Sequence, residues 1–146
     1  MFNGIIKKTG FLLKMQKKNK SCIIKLKTNL KFSRKEIGTS ISCSGACLTL
    51  KDYKNGVASF FLSLESLNKT NFLYKRRGSI INMEKSLKFG DRLSGHFVQG
   101  HVDTTSKVSK IDIVGSSWFI SFDISNKHKK NIVEKGSICI NGVSLT

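Results

Sequence analysis

One block of this chain occurs twice. Ser40–Thr49 reads SISCSGACLT and Ser137–Thr146 reads SICINGVSLT. Aligned at one constant offset, the two agree at Ser40/Ser137, Ile41/Ile138, Gly45/Gly142, Leu48/Leu145 and Thr49/Thr146. One difference changes the chemistry: Cys47 stands opposite Ser144, a thiol against a hydroxyl. Solenoid arrays repeat every 20–50 residues or so. A single duplication spaced much more widely predicts two similar domains instead, residues 1–88 and residues 89–146.

Within the first copy the apolar pattern is that of strands. Ser21–Thr28 (SCIIKLKT) alternates, with Ile24 and Leu26 on one face. Thr39–Cys43, Ala46–Tyr53, Val57–Leu64 and Ser79–Met83 read as further strands. Ser44-Gly45 is a turn, and Asn55-Gly56 is the dipeptide favoured in tight hairpins. Phe2–Lys7 is an apolar opening that Thr9-Gly10 is expected to turn, so that Phe11–Met15 pairs back before a polar turn at Gln16–Lys20. Asn29–Ile37 predicts one short helix ended by Gly38, and Glu65–Leu67 a single helical turn. About six short strands with frequent turns suggest a small closed barrel, because closure removes exposed edges.

Glu84–Ser94 reads as a joint, and the second copy opens at Gly95–Asp103, GHFVQGHVD. Lys107–Val114 and Ser117–Asp123 predict a hairpin around Gly115, Ser125–Lys135 a helix, and Ser137–Ile140 with Val143–Thr146 the repeated strand-turn-strand. Nothing after Thr146 matches Leu50–Leu87 of the first copy, so the second barrel is expected to be incomplete in this chain.

Charge is the strongest compositional bias. Lys and Arg number 26 against 9 Asp and Glu, a net charge of +17. Such a surface suits a polyanion, which makes a basic barrel that binds nucleic acid one alternative. The lysines are dispersed, however, arginine is scarce and proline is absent, as expected of a solvated surface written with a biased codon supply. Adjacent Phe60 and Phe61 would also point to opposite faces of a strand and make a poor stacking platform. No stretch approaches the roughly 18 apolar residues of a membrane span, and the opening residues lack a signal-peptide h-region. Cys22, Cys43, Cys47 and Cys139 form no CxxC pair, so free thiols in a reducing cytoplasm are expected. His96 and His101 are five apart with no third ligand in view, so no metal is expected.

MFNGII at the start, SISCSGACLT, ESLNKTNF at Glu65–Phe72, GHFVQGHVD and INGVSLT, in this order, resemble the riboflavin synthases, the family with two lumazine-binding barrels. The resemblance covers nearly the whole chain. It implies an all-β fold of two tandem six-stranded Greek-key barrels. It also implies a cofactor-free transferase, commonly a homotrimer, in which two molecules of 6,7-dimethyl-8-ribityllumazine become riboflavin and 5-amino-6-(D-ribitylamino)uracil. A lumazine or flavin binder without turnover is the alternative. Ser44-Gly45-Ala46 and Phe72 depart slightly from the family pattern, and the aspartate that the family places late in the second barrel would fall beyond Thr146.

Carried over position by position, the resemblance makes Cys47, His101 and Ser144 catalytic. It makes Phe2, Ser40, Thr49, Phe61, Leu62, Ser63, Ser66 and Thr146 substrate-binding, with Phe61–Ser63 offering backbone groups to the ring and Phe2 at its edge. These residue types suit the chemistry. The C7 methyl of the lumazine is acidic because the ring delocalises the carbanion, so a base must take its proton while a nucleophile adds at C7 of the second molecule. A thiol can be that nucleophile or a weak acid, and a histidine can shuttle protons. Hydroxyls can hold the ribityl chain, and holding two large reactants together is itself a source of rate. Without the resemblance, Cys47 reads as a small buried hydrophobe, His101 as a satisfied core histidine, and Ser144 and Thr146 as turn caps.

Overall fold

The computed structural model describes residues 1–18 and 21–146. Six strands, β1 (Lys8–Lys18), β2 (Ser21–Thr28), β3 (Ser40–Cys43), β4 (Ala46–Lys54), β5 (Val57–Ser63) and β6 (Ile80–Lys85), close into a barrel. Their order round the barrel is β1-β2-β5-β4-β3-β6, and all neighbours are antiparallel. The alternation read from sequence is what closes it. Cys22, Ile24 and Leu26 of β2, Ala46, Leu48 and Leu50 of β4, and Ala58, Phe60 and Leu62 of β5 all point inward and share one core with Ile41, Cys43, Ile81 and Met83. Phe60 is fully buried and Phe61 is 46% exposed, on opposite faces as expected. Asn55 (φ 51°) and Gly56 (φ 76°) take the two positive-φ positions of a tight hairpin turn.

A short helix, α1 (Leu64–Lys69), follows β5 and seals one end of the barrel with Leu67 and, just beyond it, Phe72. Ser63 caps α1, its Oγ accepting from the backbone N–H of Ser66 at 3.0 Å. The remaining strands form two separate two-stranded sheets, β7 (Lys107–Val114) with β8 (Ser117–Asp123) and β9 (Ile138–Ile140) with β10 (Val143–Leu145). The hairpin around Gly115 and the strand-turn-strand of the second repeat block stand where expected.

Several local expectations change. Thr9-Gly10 is not a turn but the interior of β1, which pairs with β2 and β6. Gly10 is small because a Cβ there would lie 2.8 Å from Met83 Sδ in the core. Gln16–Lys18 continue β1 instead of turning, and Asn19 and Lys20 of that expected turn lie outside the described residues. Asn29–Ile37 supplies only one 3-10 turn, Arg34–Glu36. Ser125–Lys135 supplies only α2 (Asn126–Lys129). Both segments have too little apolar surface to dock a longer helix, and short helices are marginal unless tertiary packing holds them. The last strand of the barrel runs on to Lys85, so Glu84, read as part of a joint, belongs to the barrel wall.

One ion pair holds the 3-10 turn to the barrel. Lys85 Nζ binds Glu36 Oε1 and lies 4.9 Å from the centre of the Phe32 ring, which packs edge-on against Tyr53. The bond from Lys85, and then the N–H of Ser33, hold the Glu36 carboxyl below its ordinary value. A carboxyl lowered by folding adds stability above its unfolded pKa, and that stability disappears as pH falls through the folded value. Both side chains are about one third exposed, at 34% and 29%, so the contribution should stay within about 1 kcal/mol. Urea midpoints should therefore drop as the pH is taken below the ordinary carboxylate range, and Glu36→Gln should shallow that acid limb. An acid limb unchanged in the variant would show the pair contributes nothing.

Candidate functional site

The two repeat blocks meet face to face. Ser44-Gly45 and Asn141-Gly142 make matching turns, with φ of 49° and 88° in the first and 53° and 88° in the second. A Cβ on Gly45 would lie 3.0 Å from the backbone N of Gly142, and a Cβ on Gly142 2.9 Å from that of Gly45. The repeated glycines thus serve the backbone of their own turn and the approach of the opposite one.

Around this contact the segments that open the two copies trade places. Phe2 and Val98 exchange backbone hydrogen bonds of 2.8 and 3.0 Å. Beyond that bridge, the Gly100 carbonyl accepts from Cys47 N in the first block, and the Gly4 carbonyl accepts from Ser144 N in the second, each at 2.8 Å. The chain start is pinned by a buried carboxylate. Glu84 Oε1 accepts from Asn3 N at 2.7 Å and Oε2 from Gly4 N at 3.0 Å. The Asn3 side chain accepts from Ser94 N and Gly95 N and donates to the Arg92 carbonyl, each at 3.0 Å.

This exchange creates a cleft. The β4–β5 ladder stops at Thr49/Phe61, so beyond it the facing edges of the two strands separate. Gly100–Val102 runs beside β4 at Cys47 where the ladder has ended. The cleft, about 360 Å³, is lined by Ala46 and Cys47 of β4, by Glu65, Ser66, Lys69 and Thr70 in and just after α1, and by Gly100, His101 and Val102. That volume falls within the roughly 300–1,000 Å³ of small-molecule sites.

The expected site residues separate into groups. Cys47, Ser66 and His101, from three distant stretches, all line the cleft. Ser40, Thr49 and Phe61 occupy directly opposed positions on β3, β4 and β5 and form an outward row next to it. Leu62 points its side chain into the core, while Ser63 is engaged in capping α1 and bonding Ser66 Oγ at 3.0 Å. Phe2 is fully buried, and a Cβ on Gly100 would lie 2.9 Å from its ring. Its backbone bridge to Val98 draws it under the junction. Ser144 does not join His101. It bonds His96 Nδ1 at 2.7 Å and packs against Gly4 and Gly95, because the exchange brings residues 100–102 to the first block and residue 4 to the second. Thr146 is exposed beyond β10.

The thiols differ in environment. Burial, and next the neighbouring Cys47 sulfur, push the Cys43 thiol far up. Burial also raises those of Cys22 and Cys139. Cys47 is half-buried and opens on the cleft. The sequence analysis did not assign Glu65, Lys69, Ala46, Thr70, Gly100 or Val102 to the cleft. The first two look like an ordinary solvated helix face, and no spacing rule connects either one to Cys47.

Known proteins resemble this chain in sequence and in fold. A lumazine binding domain family model matches residues 3–86 and 99–146. The riboflavin synthase of Bacillus subtilis (strain 168) is 32% identical over 146 residues, which is 100% of this chain and 68% of that protein. The riboflavin synthase of Photobacterium leiognathi is 37% identical over 147 residues, covering 100% and 67%. Among solved structures, LumP complexed with riboflavin superposes with a TM-score of 0.83 at 24% identity, covering 99% of this chain and 78% of that one. LumP complexed with 6,7-dimethyl-8-(1'-D-ribityl) lumazine gives 0.81 at 22% identity, covering 100% and 79%. These two likenesses concern the fold, whereas the family match and the identities to relatives of which this chain spans about two thirds go further: the chain belongs to the lumazine-binding domain family, alongside the riboflavin synthases.

Proposed function

We propose that the cleft binds a ribityl-substituted pteridine and that the chain takes part in the riboflavin synthase reaction, the dismutation of 6,7-dimethyl-8-ribityllumazine. The observation that carries this reading is the convergence of Cys47, Ser66 and His101 in one cleft beside a strand edge whose ladder has ended. In it, His101, exposed at the cleft, takes the proton from the C7 methyl and returns protons to water. Cys47 acts as nucleophile or weak acid at C7 of the second molecule. Backbone groups of Phe61–Ser63 and the hydroxyls of Ser66, Ser40 and Thr49 hold the ring and the ribityl chain. Ser144, paired with His96, serves the second-copy side together with Thr146. A homotrimer and a cytoplasmic location belong to this proposal on family likeness alone.

Conversion of the lumazine to riboflavin, followed by absorbance, tests it. Cys47→Ser should leave fold and lumazine affinity nearly unchanged and lower turnover at least about tenfold, some 1.4 kcal/mol of barrier. Equal turnover would return Cys47 to a packing role. A second reading, binding without turnover, is favoured by the modest size of the cleft, whose 360 Å³ lies near the lower end of small-molecule sites. Saturable quenching of riboflavin fluorescence with no lumazine conversion would select that reading.

A further inference from the structure

The cleft contains two charged side chains, Glu65 and Lys69, placed one turn apart on α1. The helix that carries them is fixed at both ends. Ser63 caps its start, Thr70 Oγ1 donates to the Ser66 carbonyl at 2.6 Å, and Leu67 and Phe72 are buried in the barrel core. Lys69 therefore leaves the helix from a set position at the rim of the cleft. Among the described residues the ion pairs are Lys85–Glu36 and Lys110–Asp112, so the Lys69 ammonium is not bound to a carboxylate. The other ionisable groups lining the cleft are Glu65 on the same helix, the Cys47 thiol on β4 and the His101 imidazole on the crossing segment. Lys69 is the one lysine or arginine among the residues that line the cleft.

Resting on the binding reading above, we infer that Lys69 is the counter-ion for negative charge on the bound ligand. Two sources share that chemistry. Loss of a proton from the C7 methyl, with the C–H pair delocalised into the ring and the proton passed to water, makes the ring an anion. A phosphate on the ribityl chain also carries charge. A cation carried on a helix already ordered by folding favours either one over the neutral ligand. Glu65 acts in the opposite sense, so the two residues set the balance of the site between neutral and anionic ligands.

The experiment uses the whole chain and four proteins: parent, Lys69→Gln, Lys69→Arg and Glu65→Gln. In one arm, 6,7-dimethyl-8-ribityllumazine bound to saturating protein is titrated with base by absorbance. If the charge is on the ring, its deprotonation midpoint should lie about one pH unit higher in Lys69→Gln than in the parent, a tenfold change. Lys69→Arg should match the parent and Glu65→Gln should shift the midpoint down. In the other arm, riboflavin and FMN, which differ only by phosphate, are compared by fluorescence quenching. If the charge is on the phosphate, the preference for FMN should fall about tenfold in Lys69→Gln and return in Lys69→Arg. Unchanged midpoint and unchanged preference, with binding intact, would overturn the inference and leave the binding reading standing. Equal weakening of all ligands would also overturn it, since that is loss of packing. No binding of any of these ligands by the parent would remove both.

Discussion

Gly100→Ala is expected to open the junction and weaken ligand binding at the cleft by about 100-fold or more. Gly100 has φ +82°, where a side chain costs about 1–2 kcal/mol. Its new methyl would also lie 2.6 Å from Cys47 Cβ, 2.9 Å from the Phe2 ring and 3.1 Å from Cys47 N. None of these is the free end of a flexible chain. The crossing segment would have to leave β4, breaking the 2.8 Å bond from Cys47 N to the Gly100 carbonyl and moving His101 with it. The sum, about 3 kcal/mol, corresponds to roughly 100-fold in affinity when it is expressed at the site. Gly38→Ala is the control. Gly38 has φ +89° and no atom within 4 Å of its would-be Cβ, so it reports the backbone term alone. Riboflavin titration and thermal melts on both variants decide the matter. A Gly100→Ala protein that binds like the parent and melts like Gly38→Ala would show that the crossing segment does not shape the cleft.

Glu84→Ala should be the most damaging single change to stability outside the core, at about 3–5 kcal/mol. The carboxylate is the acceptor for two buried backbone donors, Asn3 N and Gly4 N. Hydrogen bonds to a charged acceptor contribute about 1.5–3 kcal/mol each, and the orphaned donors add their own desolvation. Asn3 in turn holds Ser94, Gly95 and Arg92, so loosening it releases the bridge between Phe2 and Val98. For a chain of this size the melting temperature should fall by about 10 °C. Glu84→Gln keeps one acceptor oxygen and should lie between parent and Ala. A loss below about 1 kcal/mol for Glu84→Ala would mean that water replaces the carboxylate at no penalty.

The barrel was legible because its information is local. Alternation in SCIIKLKT, the Asn-Gly turn and the paired apolar runs each specify a strand or a hairpin within a few residues, and closure is the way so small a set of strands avoids open edges. Where alternation was masked, the reading failed. Gly10 looked like a turn residue because a sequence does not show Met83 pressing on it from across the barrel.

The site divided along the same line. Duplication pointed to Cys47 and Ser144, and the resemblance pointed to His101 and Ser66, but no pattern along the chain says which of them share a cleft. That was decided by the exchange at the junction. Residues 100–102 pair with the first block and residue 4 with the second, so His101 joins Cys47 while Ser144 turns to His96. The repeat, the strands and the reactive side chains follow from the sequence by itself, since period and residue type are written locally. Their partners depend on backbone hydrogen bonds between segments far apart in the chain, made where the turn glycines Gly45 and Gly142 allow close approach, and these only the tertiary structure decided.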